Sequence, residues 1–181
     1  FEVFQEEPIS SPVFRDVFGP EAERLYVGFR FNGANTEDAL MVSMIDMLLS
    51  NSVAGLIDIN LNQTQEIMGG GSWNYILQDY SIHTFYGSPS QGQSLEEVKD
   101  LLLSQIDELK LGNFPDWLME AIISDLKLSQ IKRYETNNGR ANDFVQAFTL
   151  NRSWKDMEIN IFKSQEDAKN SFRGYKNATR K

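Results

Sequence analysis

Residues 69–88, GGGSWNYILQDYSIHTFYGS, carry the pattern that decides the fold. Three consecutive glycines are followed by two alternating runs, 73–77 and 80–86, and only Gln78 and Asp79 separate these runs. Alternation is typical of a strand with one buried face, and a two-residue connection is typical of a hairpin. The stretch therefore predicts two antiparallel strands, with the glycine run interrupting the chain before the first strand.

The residues before this hairpin predict one more strand and two helical segments. Residues 24–32 place Leu25, Val27, Phe29 and Phe31 on one face of a half-buried strand. Asn35 or Thr36 can then cap a helix whose apolar positions, from 40 to 49, follow a helical period. A shorter helical segment is expected around residues 54–63.

The residues after the hairpin predict a helical second half. Ser94 and Glu97 have the spacing of a capping box, and an apolar stripe then runs to a C-terminal cap at Gly112. Pro115 fits the first position of a long helix, and another helix is expected after Gly139. The whole pattern predicts an α+β domain, in which helices pack on one face of a mostly antiparallel sheet.

Composition divides the chain into three parts. Residues 1–20 contain Pro8, Pro12 and Pro20 with little periodicity, which predicts an inter-domain lead-in or linker. Residues 21–155 form the predicted α+β domain. Residues 156–181 are expected to form a C-terminal helix or a connector.

The composition excludes several classes of function. The 181 residues include 17 Lys and Arg against 26 Asp and Glu, a net charge of −9, which disfavours a nucleic-acid partner. There is no Cys, which is compatible with the cytoplasm or the periplasm and excludes thiolate metal sites. The longest mainly apolar stretch, residues 40–49, is too short to span a membrane.

The residues themselves indicate no catalytic or metal site. His83, the single histidine, lies in a predicted strand, and no spacing of carboxylates proposes a zinc site around it. The run Gly69–Gly70–Gly71 lacks the Lys-Ser/Thr of a phosphate loop. It is read either as a flexible turn or bulge, or as a strand edge that another backbone could approach and pair with.

Several segments resemble, in order, a non-catalytic domain of the pitrilysin/insulinase family of zinc metallopeptidases. They are residues 24–32, 38–51 (DALMVSMIDMLLSN), 54–62 (AGLIDINLN), 94–111 (SLEEVKDLLLSQIDELKL), 121–132 and 139–150 (GRANDFVQAFTL). Proteins of this family are built from repeated α+β domains that pair into two halves around a chamber for unfolded peptides. Their catalytic domain carries H-x-x-E-H, in which two His bind zinc and the Glu activates water.

The resemblance implies a fragment without catalytic residues or metal ligands. His83 is followed by Thr84, Phe85 and Tyr86, so the motif is missing, and zinc is expected in the catalytic domain of a larger parent chain. The expected partners are that catalytic domain, in the same chain or in a partner subunit, and an unfolded peptide substrate. Asn62 and Gly69 stand where the family's distal half has a substrate-contacting Arg and Tyr, which favours the domain directly after the catalytic one.

The resemblance also implies a peptide-binding strand edge. In insulin-degrading relatives a glycine-containing edge of this domain holds the N-terminal segment of the substrate. The positions that correspond here are Met68, Gly69, Gly70, Gly71 and Ser72. The function expected is thus substrate holding and chamber formation in a larger zinc metalloendopeptidase. The alternative is a structural or assembly subunit of the same fold, and a weaker one is a stand-alone enzyme that uses His83 as a base.

Overall fold

The fold is taken from a computed structural model, which describes residues 7–153. The expected C-terminal helix or connector, residues 156–181, lies outside the described residues. The elements in chain order are β1 (Leu25–Asn32), α1 (Glu37–Leu49), a π-helical turn (Asp58–Asn62), β2 (Gly69–Ile76), β3 (Tyr80–Ser88), α2 (Leu95–Leu111), α3 (Asp116–Tyr134) and α4 (Asn137–Thr149). None of the helices within residues 7–153 combines the length and the apolar composition that crossing a bilayer requires.

The described strands form one antiparallel sheet in the order β1-β3-β2, which confirms the predicted α+β class. The hairpin is also confirmed, because Leu77 and Tyr80 close it around Gln78 and Asp79, with the Leu77 N–H donating to the Tyr80 carbonyl at 3.1 Å. Since β3 lies between the other two strands, β2 forms one edge of the sheet. This position of β2 is the feature on which the candidate site depends.

The helices cover one face of the sheet. α1 and α2 pack on the strands, α3 packs on α1, and α4 packs on α3. Alternate residues of β3 face this layer, and Phe85, only 1% exposed, belongs to the buried core. The other large side chains of this core that are fully buried are those of Met44, Leu48, Leu49, Ile57, Leu61, Ile67, Leu102, Leu118, Met119 and Ile122.

The predicted cap of α1 and the predicted starts of α3 and α4 need correction. Thr36 precedes α1 as expected, but its hydroxyl donates to the Gly33 carbonyl at 2.7 Å and caps no helical N–H. Pro115 is the residue before α3 rather than its first residue. α4 begins before Gly139, because the Thr136 hydroxyl accepts the Gly139 N–H at 3.0 Å and so caps a helix that starts at Asn137.

Both ends of α2 are as predicted. The Ser94 hydroxyl accepts the Glu97 N–H at 3.2 Å, and Ser94 returns two hydrogen bonds to the Glu97 carboxylate. These bonds, the one from the backbone N–H of Ser94 first, lower the pKa of Glu97. Gly112 ends the helix in the left-handed conformation with φ 77°, which a residue without a Cβ adopts at little cost.

Glu97→Ala is expected to lower the free energy of unfolding more at pH 7 than near pH 3. A carboxylate whose folded pKa lies below its unfolded value of 4.5 stabilises the fold above that value, and the contribution disappears as the pH falls through the folded pKa. Urea unfolding at the two pH values measures the difference. Glu96→Ala, in the same first turn but outside the capping box, is the control. An equal loss for Glu97→Ala at both pH values would contradict the prediction.

Candidate functional site

A single carboxylate connects α1 to both strands of the hairpin. Asp46 Oδ1 accepts the Ser72 hydroxyl at 2.6 Å and lies 3.1 Å from His83 Nε2, while Oδ2 accepts the Asn74 side-chain N–H at 3.0 Å. Ser72 and Asn74 belong to β2 and His83 to β3, and all three side chains face the helices. We call these four residues the Asp46 cluster.

The Asp46 cluster contains the residue types of a catalytic triad in an arrangement that cannot act as one. A triad needs the imidazole between the serine and the carboxylate, so that it can take the hydroxyl proton. Here the carboxylate lies between the other two groups, and Ser72 and His83 both contact its oxygen Oδ1. His83 is also 3% exposed, out of reach of a substrate. The Asp46 cluster therefore attaches α1 to the sheet, and the single histidine of the sequence has a structural role in this attachment.

Nothing in the described part of the chain offers a metal site. Among residues 7–153, no three Asp, Glu or His side chains lie together as metal ligands would. The Asp46 cluster contributes one carboxylate and one imidazole, and its remaining groups donate hydrogen bonds to that carboxylate.

The glycine run lies inside β2, and the prediction that it interrupts the chain before the strand is wrong. Gly69, Gly70 and Gly71 pair with Ser88, Gly87 and Tyr86 of β3, and the strand ends at Ile76 rather than residue 77. Glycine has a low strand propensity and shows no alternation, so periodicity gave no signal here. Backbone pairing with β3 holds these three residues in the strand, because glycine has no side chain that could do so.

The expected peptide-binding residues do not all face the open edge of the sheet. Met68 donates its N–H to the Ser88 carbonyl at 3.1 Å, towards β3. Gly70 faces the opposite way, because its N–H donates to Asn62 Oδ1 at 2.9 Å and its carbonyl accepts Asn62 Nδ2 at 2.8 Å. Backbone groups alternate in direction along an antiparallel strand, so Gly69 and Gly71 face β3 and Ser72 faces outward with Gly70.

The same alternation extends the outward edge beyond the glycine run. Asn74 and Ile76 have the orientation of Gly70 and Ser72, and no strand of residues 7–153 pairs with this side of β2. We call Ser72, Asn74 and Ile76 the open edge. The open edge begins at Ser72, the last residue of the expected site. Gly70, the outward-facing residue before Ser72, is already bonded to the Asn62 side chain.

Aromatic residues line the face of the sheet away from the helices. Trp73 is 40% exposed and Tyr75 63%, whereas Phe85, on the face towards the helices, is 1% exposed. The Trp73 ring meets those of Tyr26 and Tyr86, with centroids 6.1 Å and 5.6 Å away. Side chains of β2 next to the open edge therefore present an exposed apolar surface.

Sequence reasoning missed the two residues that organise this region, Asp46 and Asn62. Asp46 interrupts the apolar run of α1, and a carboxylate inside such a run is a signal for a buried polar contact. Asn62 had no comparable signal, since an Asn at the end of a helical segment commonly caps or turns the chain.

The sequence and the fold both match known proteins. The family model described as the peptidase M16 inactive domain matches residues 2–126. No curated protein matches the sequence significantly.

Two solved structures show the same fold. A protease from Helicobacter pylori aligns with TM-score 0.71 and 15% identity over 83% of this chain and 38% of its own. An inactive peptidase domain assigned to a zinc protease of Bordetella parapertussis aligns with TM-score 0.68 and 12% identity over 84% of this chain and 86% of its own. The chain thus spans well under half of the Helicobacter protease and most of the Bordetella domain.

Asp46→Asn is expected to lower the free energy of unfolding by about 1–3 kcal/mol. Both carboxylate oxygens of Asp46 accept hydrogen bonds, and the amide nitrogen of Asn would place an N–H donor against one of these donors. Urea unfolding followed by circular dichroism measures the loss. Asp125→Asn, on the exposed side of α3, is the matched control and should change stability by less than about 0.5 kcal/mol. Equal midpoints for the two variants would show that the Asp46 cluster does not fasten the layers.

Proposed function

The chain belongs to the peptidase M16 inactive-domain family, and from this we propose that it holds unfolded peptide and forms part of a chamber wall in a larger zinc metallopeptidase. Peptide would bind by adding a strand to the sheet. The catalytic domain, in the same chain or in a partner subunit, would supply the zinc and the H-x-x-E-H motif that this sequence lacks.

The observation that carries this proposal is the open edge of β2. Unpaired backbone N–H and C=O groups on an edge strand are a template for a further strand, and main-chain pairing binds peptides of many sequences. The helix layer holds β2 in place, because the Ser72 and Asn74 side chains are hydrogen-bonded to Asp46 of α1. A fixed strand loses little conformational entropy when a peptide binds to it.

The outer aromatic surface supports the same proposal. The side chains of an added strand would alternate between the two faces of the sheet, and those on the outer face would lie beside Trp73 and Tyr75. Both rings are exposed, and the chain carries a net charge of −9. Peptides with apolar residues at alternate positions and with a free, positively charged N-terminus are therefore favoured.

An assembly role is the second candidate, and an exposed apolar surface fits it as well as it fits a chamber wall. On the outer helices Ile131, Val145 and Phe148 are 61%, 62% and 89% exposed, and exposed apolar side chains of this kind can be covered by another domain or subunit. A chamber wall would use this surface too, so it does not separate the candidates. The parent sequence separates them: H-x-x-E-H in the parent or in its partner subunit supports the peptidase, and its absence from both supports assembly.

We expect the 181-residue chain to bind an extended peptide of about twelve residues, with a change in Trp73 fluorescence. Complete N-methylation of the peptide should abolish binding, because it removes every main-chain donor. N-methylation of alternate residues should preserve binding, because one edge of such a peptide keeps its donors. A change that persists in the Trp73→Phe variant would come from another tryptophan, so this variant is the control for the signal.

Two results would overturn peptide holding by this domain. One is the absence of binding at millimolar concentrations of the unmodified peptide. The other is equal affinity for the unmodified and the completely N-methylated peptide, which would show that side chains and not main-chain pairing carry the contact.

A further inference from the structure

The carboxamide of Asn62 occupies a pairing position on the edge of β2. Its oxygen accepts the Gly70 N–H at 2.9 Å, and its nitrogen donates to the Gly70 carbonyl at 2.8 Å. A side-chain amide presents the same donor and acceptor as a peptide group. Asn62 therefore makes with Gly70 both hydrogen bonds that a residue of an added strand would make.

The π-helical turn holds Asn62 in this position. The Asp58 carboxylate, 7% exposed, accepts the N–H groups of Asn51 and Gly55 at 2.8 and 3.2 Å. The Asn60 side chain donates to Gln105 Oε1 on α2 at 2.7 Å. Because the turn is attached both to the segment after α1 and to α2, an incoming peptide meets a carboxamide that is already in place.

Packing within the chain explains the glycines at 70 and 71, whereas a Cβ on Gly69 would meet nothing within 4 Å. A Cβ on Gly70 would lie 2.6 Å from Ile67 Cδ1 and 3.0 Å from the Tyr86 carbonyl oxygen. A Cβ on Gly71 would lie 3.0 Å from the ring carbon Tyr86 Cε1. Gly70 and Gly71 thus allow close contact with neighbouring groups of the same chain, and neither offers unoccupied backbone groups to a ligand.

We propose that Asn62 is the stop of the peptide-binding edge: a bound strand pairs with Ser72, Asn74 and Ile76 and ends before Gly70. This inference rests on the proposed function and adds the register and the length of the bound segment. The footprint spans five residues of β2, so about five or six residues of peptide would carry the main-chain contact. Asn62 is in this sense a positioning residue for the peptide.

A purely structural role for Asn62 makes a different prediction. If Asn62 only fastens residues 63–68 to the sheet, its removal lowers stability and leaves peptide binding unchanged. If it is the stop, its removal also exposes the Gly70 N–H and carbonyl, and longer peptides gain one more pairing site. The dependence of affinity on peptide length separates the two roles.

The experiment measures Kd for peptides of about four to twelve residues with the wild-type chain, Asn62→Ala and Asn113→Ala. Asn113→Ala is the control, because it removes a side-chain amide and its hydrogen bond to Glu108 at the end of α2, away from the π-helical turn and from β2. For the wild type and Asn113→Ala, we expect Kd to stop improving at about six residues. For Asn62→Ala, we expect further improvement, to a Kd about three- to tenfold lower for the longest peptides.

The outcomes distinguish this inference from the function on which it rests. Binding with the same length dependence in all three proteins would overturn the stop and leave peptide holding intact. No binding to the wild type would overturn peptide holding itself. If Asn62→Ala does not fold, the side-chain amide signals of Asn62 in the nitrogen-15 spectrum of the wild type decide the matter. They should stay unchanged at saturating peptide, and a shift to free-amide positions would overturn the stop.

Discussion

The hydrogen bonds to the Asp46 carboxylate are the constraint on which the rest of this structure depends. β2 has a strand neighbour on one side only among the described residues, so its pairing with β3 alone would leave it weakly held. Asp46 adds a second attachment from the helix layer, through Ser72 and Asn74, and fixes His83 on the central strand with the same group. Because these side chains bond to the helix layer, the outward backbone groups of β2 stay at the edge in a defined geometry.

An edge strand with unpaired backbone groups can cause unwanted association with other protein molecules. Exposed strand edges promote pairing between copies, and proteins usually block them with charged side chains, prolines or covering loops. Asn62 supplies such a block at Gly70. Beyond it the edge is uncovered by any strand of residues 7–153, and Trp73 and Tyr75 add exposed aromatic surface beside it. A partly blocked edge with an apolar border is better suited to a transient peptide than to uncontrolled association.

Local sequence patterns predicted the features whose causes are local. The hairpin at Gln78–Asp79, the capping box of Ser94 and Glu97, and the Gly112 cap all depend on residues a few positions apart. The contact between Asp46 and His83 joins residues 37 positions apart, and no periodicity encodes such a pair. The glycine run was misplaced for a related reason, because only its pairing with β3 makes it a strand. The resemblance placed the expected site at residues 68–72, whereas the directions of the backbone groups, which sequence does not carry, place the open edge at Ser72, Asn74 and Ile76.

In the proposed function, main-chain pairing would account both for tolerance of varied peptides and for the need for a stop. Hydrogen bonds to backbone groups carry no sequence information, so a domain that holds varied peptides must select by other means. Two features of this domain would provide such selection: the exposed aromatic surface beside the open edge, which would favour apolar side chains at alternate positions, and the carboxamide of Asn62 bonded to Gly70, which would end the pairing at a fixed place. A fixed end determines how much of a bound peptide remains unpaired and can reach another domain. In the proposed function, chemistry located in another domain would then act at a set distance from the held segment.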